Sequence, residues 1–237
     1  MLEAAAADLL DGYAAGKAEC LRIGLAAACY AGVANPLTTV KGLGPRIGEP
    51  ELAEVEDFYA KWGASPVLEL APWVDEASLE LLRARGYAVI GEEDVMLRAT
   101  GDGSEVEVES VKDVSVWARG LALAFNGEVN EFWMDLGVSM GNIEGSRLVG
   151  VWEEGELVAM AQLVPGLRVA TFCCDGTLEA ARGKGYQRRL IEARLGIAQE
   201  LGLGWCTSEV APGSSSQRNY VRCGFEKAYT RQHWKKS

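Results

Sequence analysis

The sequence predicts an α+β fold, a mainly antiparallel twisted sheet with flanking helices. Three observations carry that expectation. From about residue 105 onward, helix-periodic and strand-like segments follow in the order helix, helix, three strands, helix, strand, helix, strand. The turns between the first three of those strands are short enough to demand hairpins, hence antiparallel pairing. The first hundred residues repeat part of the same order.

Asp113–Asn126 has a helical period and opens on an Asp suited to the cap, and Val129–Met140 is a second, shorter amphipathic helix carrying Phe132, Trp133 and Leu136. Ser146–Trp152 and Leu157–Val164 read as strands separated by the turn Glu-Glu-Gly-Glu, and Pro165-Gly166 turns the chain into a third strand, Arg168–Cys174. A glycine loop follows. The helix after it runs to Leu201, with Leu190, Ala193, Ile197 and Leu201 on one side, and Gly202 ends it. Trp205–Val210 is a strand, Ser214–Arg222 a short helix stopped by Gly224, and Phe225–Trp234 a final strand.

The repeat is visible in the letters. Leu70-Ala71-Pro72 lies 140 positions before Val210-Ala211-Pro212, and Arg85-Gly86-Tyr87 lies 138 before Cys223-Gly224-Phe225. Each Gly-aromatic pair closes a short helix and opens a last strand, Tyr87–Arg98 in one half and Phe225–Lys236 in the other. The expected division is a partial copy over 1–100 and a complete domain over 105–237, with Asp102–Ser104 as linker.

Bulk properties narrow the function. The chain has 237 residues and a formal net charge of −11, which argues against a nucleic-acid partner, since phosphate neutralisation needs a basic face. A single histidine, His233, leaves little material for zinc sites or Ser-His-Asp triads, so no metal is expected. Six cysteines without C-x-x-C spacing read as thiols of a reducing compartment. The apolar run Ile23–Ala34 is too short to span a bilayer and lies behind Glu3, Asp8 and Asp11, so the expected location is cytoplasmic, as a monomer or homodimer without a membrane partner.

Against that acidic background, Arg182, Lys184, Arg188 and Arg189 surround the two glycines of Ala-Arg-Gly-Lys-Gly-Tyr-Gln-Arg-Arg at 181–189. A helix start already carries partial positive charge and unpaired N–H groups, so added cations there point to an incoming anion, phosphate first. A Walker A loop fails, because Leu178 stands five residues before Gly183 and Lys184 is followed by Gly. A Rossmann G-x-G-x-x-G fails as well, because Arg188 stands at the third glycine. What fits is Arg182-x-x-Gly185-x-Gln187 between a strand and a long helix.

On these residues the sequence resembles the GCN5-related N-acetyltransferases, the GNAT superfamily, over about 105–237. Gln187 departs from the family's Gly or Ala, a change that keeps the backbone N–H. The resemblance implies acetyl-CoA as co-substrate, with its pyrophosphate on the loop Arg182, Gly183, Lys184, Gly185, Tyr186, Gln187 and Arg188. Asp175, Gly176 and Thr177 match the end of the family's splayed strand, where the pantetheine arm pairs with the backbone. Asn219 matches the residue that hydrogen-bonds the cofactor, and Tyr220 the general acid that protonates the departing thiolate. Asp175 and Glu209 are candidate bases, and Glu128, Glu131 and Asp135 candidate ligands of a cationic acceptor. Cys174 and Cys206 have no histidine to activate them, which argues against an acyl-cysteine route.

The activity this implies is direct acyl transfer in a ternary complex to a primary amine of a small molecule or peptide. The rival readings are a GNAT-fold sensor that binds acyl-CoA without turnover and an interaction module with a basic loop. In the first half, Gly42–Pro50 falls where 182–190 falls, yet Glu49, Glu51 and Glu54 open the following helix and would repel a pyrophosphate. Leu82 stands where Tyr220 stands. The first half is therefore expected to lack a cofactor site and to wall the acceptor pocket with Tyr59, Trp62 and Trp73.

Overall fold

The computed structural model describes residues 1–33, 35–101, 106 and 108–236, so the linker expected at Asp102–Ser104 lies outside the described residues. The chain divides into two compact units, Met1–Val95 with Ala228–Ser237, and Met96–Lys227.

The first unit runs α1 (Leu2–Lys17), β1 (Glu19–Ile23), β2 (Ala26–Tyr30), β3 (Thr39–Lys41), α2 (Glu49–Ala60), β4 (Val67–Leu70), α3 (Glu76–Ala84) and β5 (Tyr87–Ala99). Between Met96 and Lys227 follow β6 (Glu109–Ser110), α4 (Val114–Asn126), α5 (Glu131–Gly141), β7 (Arg147–Glu153), β8 (Glu156–Pro165), β9 (Val169–Thr177), a 3₁₀ turn (Glu179–Ala181), α6 (Tyr186–Glu200), β10 (Trp205–Val210) and α7 (Ser215–Arg222), and the chain closes on β11 (Glu226–Lys236). The duplication read from the letters is a duplication of elements: a three-strand run, a helix, a strand, a helix and a strand occur twice. In both copies the crossover helix returns the chain parallel to the preceding strand, β3 beside β4 and β9 beside β10.

The first unit's sheet has the order β1-β2-β3-β4-β11-β5. The last strand, expected to belong with 105–237, belongs here instead: β11 pairs antiparallel with β4 from Gln232↔Leu70 to Lys235↔Val67. Burial explains the placement, because Trp234 joins a core of Val40, Leu52, Val55, Phe58, Leu68 and Leu82. Tyr59 is fully buried in that core and donates to the carbonyls of Cys29 and Thr39, so it has no exposed face with which to wall a pocket, while Trp62 is partly buried and stacks on Tyr30 at 4.2 Å. Trp73 is half exposed and packs edge-on against Tyr229.

A buried ion cluster ties β11 to the rest of this unit. Arg231, 1% exposed, reaches Glu93 at 2.6 Å, Glu3 at 2.8 Å and Glu69 at 3.3 Å, and Lys41 Nζ lies 2.9 Å from Glu69. Three carboxylates thus face two permanent cations. His233, with Nε2 3.6 Å from Glu93, supplies a third positive charge when protonated, and the Glu93 carboxylate beside it raises its pKa against the opposing effect of burial. Burial works to raise Glu93 too, but Lys41, His233 and Arg231 outweigh it and hold the carboxyl far below the usual range. Glu69, Glu93 and His233 could ligate a cation by distance, but Lys41 and Arg231 already neutralise those carboxylates.

In the second unit the order is the end of β5, then β10-β9-β8-β7-β6. The Thr207 hydroxyl donates to the Met96 carbonyl and fastens β5 to this sheet. Strand β8 is buried from Leu157 to Val164, so both its faces are covered. Met160 points at Gly120 of α4, while Ala159 and Ala161 pack with Leu190 of α6. Side chains alternate across a strand, so α4 and α6 lie on opposite faces. Leu190 and Ala193 are buried as the periodicity indicates, but Leu201 is exposed and Arg194 takes a place in the buried stripe.

His233 is the chain's single histidine, and its folded pKa is raised, so its contribution to stability is complete below pH 6.5 and lost as pH rises through the folded value. Thermal denaturation across that window should show the wild-type melting temperature falling and a His233→Gln variant nearly flat; equal slopes would remove His233 from the balance.

Candidate active site

Strands β9 and β10 pair in parallel only from Val169↔Trp205 to Phe172↔Ser208 and then part. The parting follows from a bulge. The register with β8 shifts between Gln162↔Cys173 and Met160↔Gly176, and Cys174 sits at φ 56°, a conformation that non-glycine residues rarely adopt. Beyond the bulge Gly176 and Thr177 pair again with β8 while the edge toward β10 stays open, and Asp175, Gly176 and Thr177 form one wall of a cleft of about 690 Å³.

The facing wall is the start of α6. Helices α4, α5 and α7 are capped by side chains, Asp113, Asn130 and Ser214, each accepting from main-chain N–H groups of the first turn. Helix α6 has Gly185 in the capping position at φ 82°, no capping side chain and no acid in its first turn. Its leading N–H groups have no partner within the helix. Gly183 shares the same positive φ, and L-residues adopt that conformation at a cost. In the first unit the equivalent helix α2 opens with Glu49, Pro50 and Glu51, so its positive end is already answered by its own acids.

The expected cofactor residues come together except for one. Asp175, Gly176, Thr177, Arg182, Gly183, Gly185, Tyr186, Gln187, Arg188 and Asn219 all line the cleft, joined by Phe125 of α4 and Ser216 of α7. Lys184 does not. Its Nζ pairs with Glu153 at 2.8 Å, and Glu153 also accepts from the Tyr186 hydroxyl. Arg189 lines a separate hollow with Trp152 and Glu109. The four bases are therefore not one patch; only Arg182 and Arg188 face the cleft. Arg182 is held there by the carbonyls of Thr177 and Ala124, at 3.3 and 3.4 Å.

Gln187 does more than keep a backbone N–H. Its amide donates to Ser216 at 2.8 Å and accepts from Asn219 at 2.7 Å, so it ties α6 to α7. Tyr220 is fully buried and does not line the cleft; its hydroxyl donates to Asp175, which does. Burial pushes the Tyr220 phenol well above its ordinary value, and the Asp175 carboxylate adds to that. Glu209 is half-buried on β10 and is not among the lining residues. Glu128, Glu131 and Asp135 are exposed. Burial holds the Cys206 thiol up at about 12, and the adjacent Cys174 together with burial raises Cys173, so neither supplies a thiolate.

The sequence reading missed Arg194. This guanidinium is 0% exposed, donates to the carbonyls of Leu190 at 3.1 Å and Gln162 at 2.9 Å, pairs with Asp175, and lies 4.4 Å from the ring centroid of Phe172. Its signal was available: four residues after Leu190, it is a charge placed on an otherwise apolar stripe.

Comparison with known proteins agrees with this architecture. Residues 120–225 match the model of the acetyltransferase (GNAT) family. Among solved structures, a GCN5-related N-acetyltransferase from Kribbella flavida superposes with a TM-score of 0.72 at 15% identity, over 99% of this chain and 95% of that one. A GNAT-family acetyltransferase from Colwellia psychrerythraea gives 0.55 at 12% identity over 92% and 84%. A tandem GNAT protein from the clavulanic acid biosynthesis pathway gives 0.58 at 14% identity over 79% and 68%. At these identities the likeness is one of fold. No curated protein sequence matches the chain.

A Cβ on Gly176 would stand 2.6 Å from Met160 Sδ and 2.9 Å from Ala124 Cβ, so α4 can lie over the cleft wall only because the residue is glycine. Gly176→Ala should lower stability by about 1–3 kcal/mol in chemical denaturation. A variant as stable as wild type would show that α4 has room to move.

Proposed function

We propose, from the premise that residues 120–225 form a GNAT-family domain, that this chain is an acetyl-CoA-dependent N-acyltransferase acting on a primary amine of a small molecule or peptide. The observation that carries the reading is the uncapped start of α6, with Gly183 and Gly185 at positive φ, opening onto a cleft shared with Asp175 and Asn219. Main-chain N–H groups at a helix start, flanked by Arg182 and Arg188, suit a pyrophosphate in charge and in geometry. The parted end of β9 offers the pantetheine arm a strand edge. One acetyl-CoA per chain is expected, because α2 meets the equivalent position with Glu49 and Glu51.

Transfer forms a bond from the amine nitrogen to the acetyl carbon and breaks the carbon–sulfur bond. A free amine is protonated up to a pH of about 10 and must lose a proton before it attacks. Asp175 is the carboxylate that lines the cleft, so we assign it the exchange with the reacting atoms as base. Tyr220 lies behind it with its hydroxyl donated to that carboxylate. The ammonium group loses its first proton to solvent; as the carbon–nitrogen bond forms and the carbon–sulfur bond breaks, the second nitrogen proton passes to Asp175 and the Asp175–Tyr220 pair delivers one proton to the thiolate sulfur, leaving both groups as they began. Tyr220 keeps the role of general acid, acting from beneath the cleft wall. N–H groups of the bulge at Cys174, off the regular β8 ladder, would polarise the thioester carbonyl.

Gly185→Glu, which places a carboxylate and a strained backbone at the phosphate position, should abolish acetyl-CoA binding in calorimetry, and retained binding would sink the loop assignment. Tyr220→Phe should lower thiol release with a panel of primary amines by roughly 100-fold while leaving acetyl-CoA affinity unchanged. Unchanged release would remove the proton role of Tyr220.

A further inference from the structure

Asp175 alone cannot hold its own position. It follows a residue at φ 56° in a bulge that interrupts the ladder between Gln162↔Cys173 and Met160↔Gly176, so it stands outside the paired register with β8. Its carboxylate is nevertheless fixed by groups from two other elements. From α6, Arg194 pairs with one oxygen and Gln187 stands 3.5 Å from the other. From α7, the Tyr220 hydroxyl donates to that second oxygen. Neighbouring polar groups on β9 are the thiols of Cys173 and Cys174, and from β10 Ser208 faces Tyr220 from behind.

Of these partners Arg194 alone brings a charge, and it is anchored independently of the cleft. Two of its nitrogens are held by carbonyls of α6 and β8, its plane lies near Phe172, and its third nitrogen divides between Asp175 and the Tyr220 oxygen at 3.5 Å. Arginine's planar fork makes several fixed bonds at once, which a point charge on a flexible stem does not. A guanidinium fully removed from water is expensive to place and strongly retains whatever neutralises it. Asp175 is that neutralising group, so its orientation in the cleft is inherited from α6.

We propose that Arg194 is a positioning residue for acyl transfer, holding the Asp175 carboxylate and the Tyr220 hydroxyl as one unit at the cleft wall without itself touching either substrate. The inference rests on the acyltransfer reading above for its kinetic consequence, but the linkage of the three side chains is measurable apart from turnover. Arg194→Gln keeps hydrogen-bond donors and loses the charge; Arg194→Lys keeps the charge and loses the fork. Three quantities separate the possibilities: the slowly exchanging hydroxyl-proton resonance of Tyr220, acetyl-CoA affinity by calorimetry, and thiol release from acetyl-CoA with a panel of primary amines.

Arg194→Gln should lose the Tyr220 resonance and reduce thiol release about 100-fold, the scale expected when a reacting group is displaced by an ångström, with acetyl-CoA affinity within about twofold of wild type. Arg194→Lys should recover part of both. An unchanged resonance and unchanged release in the Gln variant would overturn the proposal, as would affinity falling in step with release, which would mark Arg194 as a residue of the fold alone. Should neither variant fold, Asp175→Asn with Arg194 intact decides: loss of the resonance with cofactor binding preserved supports the linkage, and a retained resonance refutes it. A wild-type protein that binds acetyl-CoA, shows the resonance and releases no thiol with any amine would end the acyltransfer reading while leaving the three-residue linkage in place.

Discussion

A positive charge sealed away from water lies directly beneath the cleft, and much of the second unit is arranged around it. Arg194 contributes to the buried stripe of α6, where apolar residues do the packing on either side. Removing one partner of such a pair from other proteins costs about 3–5 kcal/mol, because the remaining ion has no solvent to return to. The groups Arg194 meets are acceptors, a counter-charge and an aromatic face: the Leu190 and Gln162 carbonyls, the Tyr220 oxygen, the Asp175 carboxylate and the Phe172 ring. The bulge at Cys174 makes sense in that setting, since it is the departure from the ladder beside which Asp175 meets both the guanidinium and the cleft.

The first unit handles buried charge differently. Arg231 and Lys41 are neutralised by Glu3, Glu69 and Glu93, groups drawn from α1, β4 and β5. Its crossover helix α2 carries acids where α6 carries none. The two runs of one element order thus differ electrostatically at the same point: both helices start on a glycine, but α2 has acids in its first turn and α6 has none. The cluster also explains why β11 is held by the first unit, since Arg231 on that strand is where three carboxylates converge.

The reading of the letters recovered what periodicity and glycine placement encode. Strands and helices from α4 to β11 fall where alternation, caps and Gly-aromatic stops place them, and the glycine loop sits at a strand-to-helix junction on the cleft, marked by Gly183 and Gly185. The direction of individual side chains was harder to see. Tyr220 reads as a cleft residue by its place in the motif, yet on the fold it points inward to Asp175. Lys184 reads as one of four bases for one anion, yet Glu153, thirty-one residues earlier on β7, holds it aside.

Local chemistry was enough to determine the α+β class, the repeated element order, the glycine-led start of α6 with no acid in its first turn, and the acids that open α2. Each depends on residues a few positions apart, whose backbone preferences and charges act through neighbours in the chain. Tertiary structure alone decided which unit takes β11, which bases face the cleft, and that Arg194, Asp175 and Tyr220 meet. Those outcomes depend on contacts across tens to hundreds of residues, where the desolvation of a charge is settled by whatever the folded chain brings beside it.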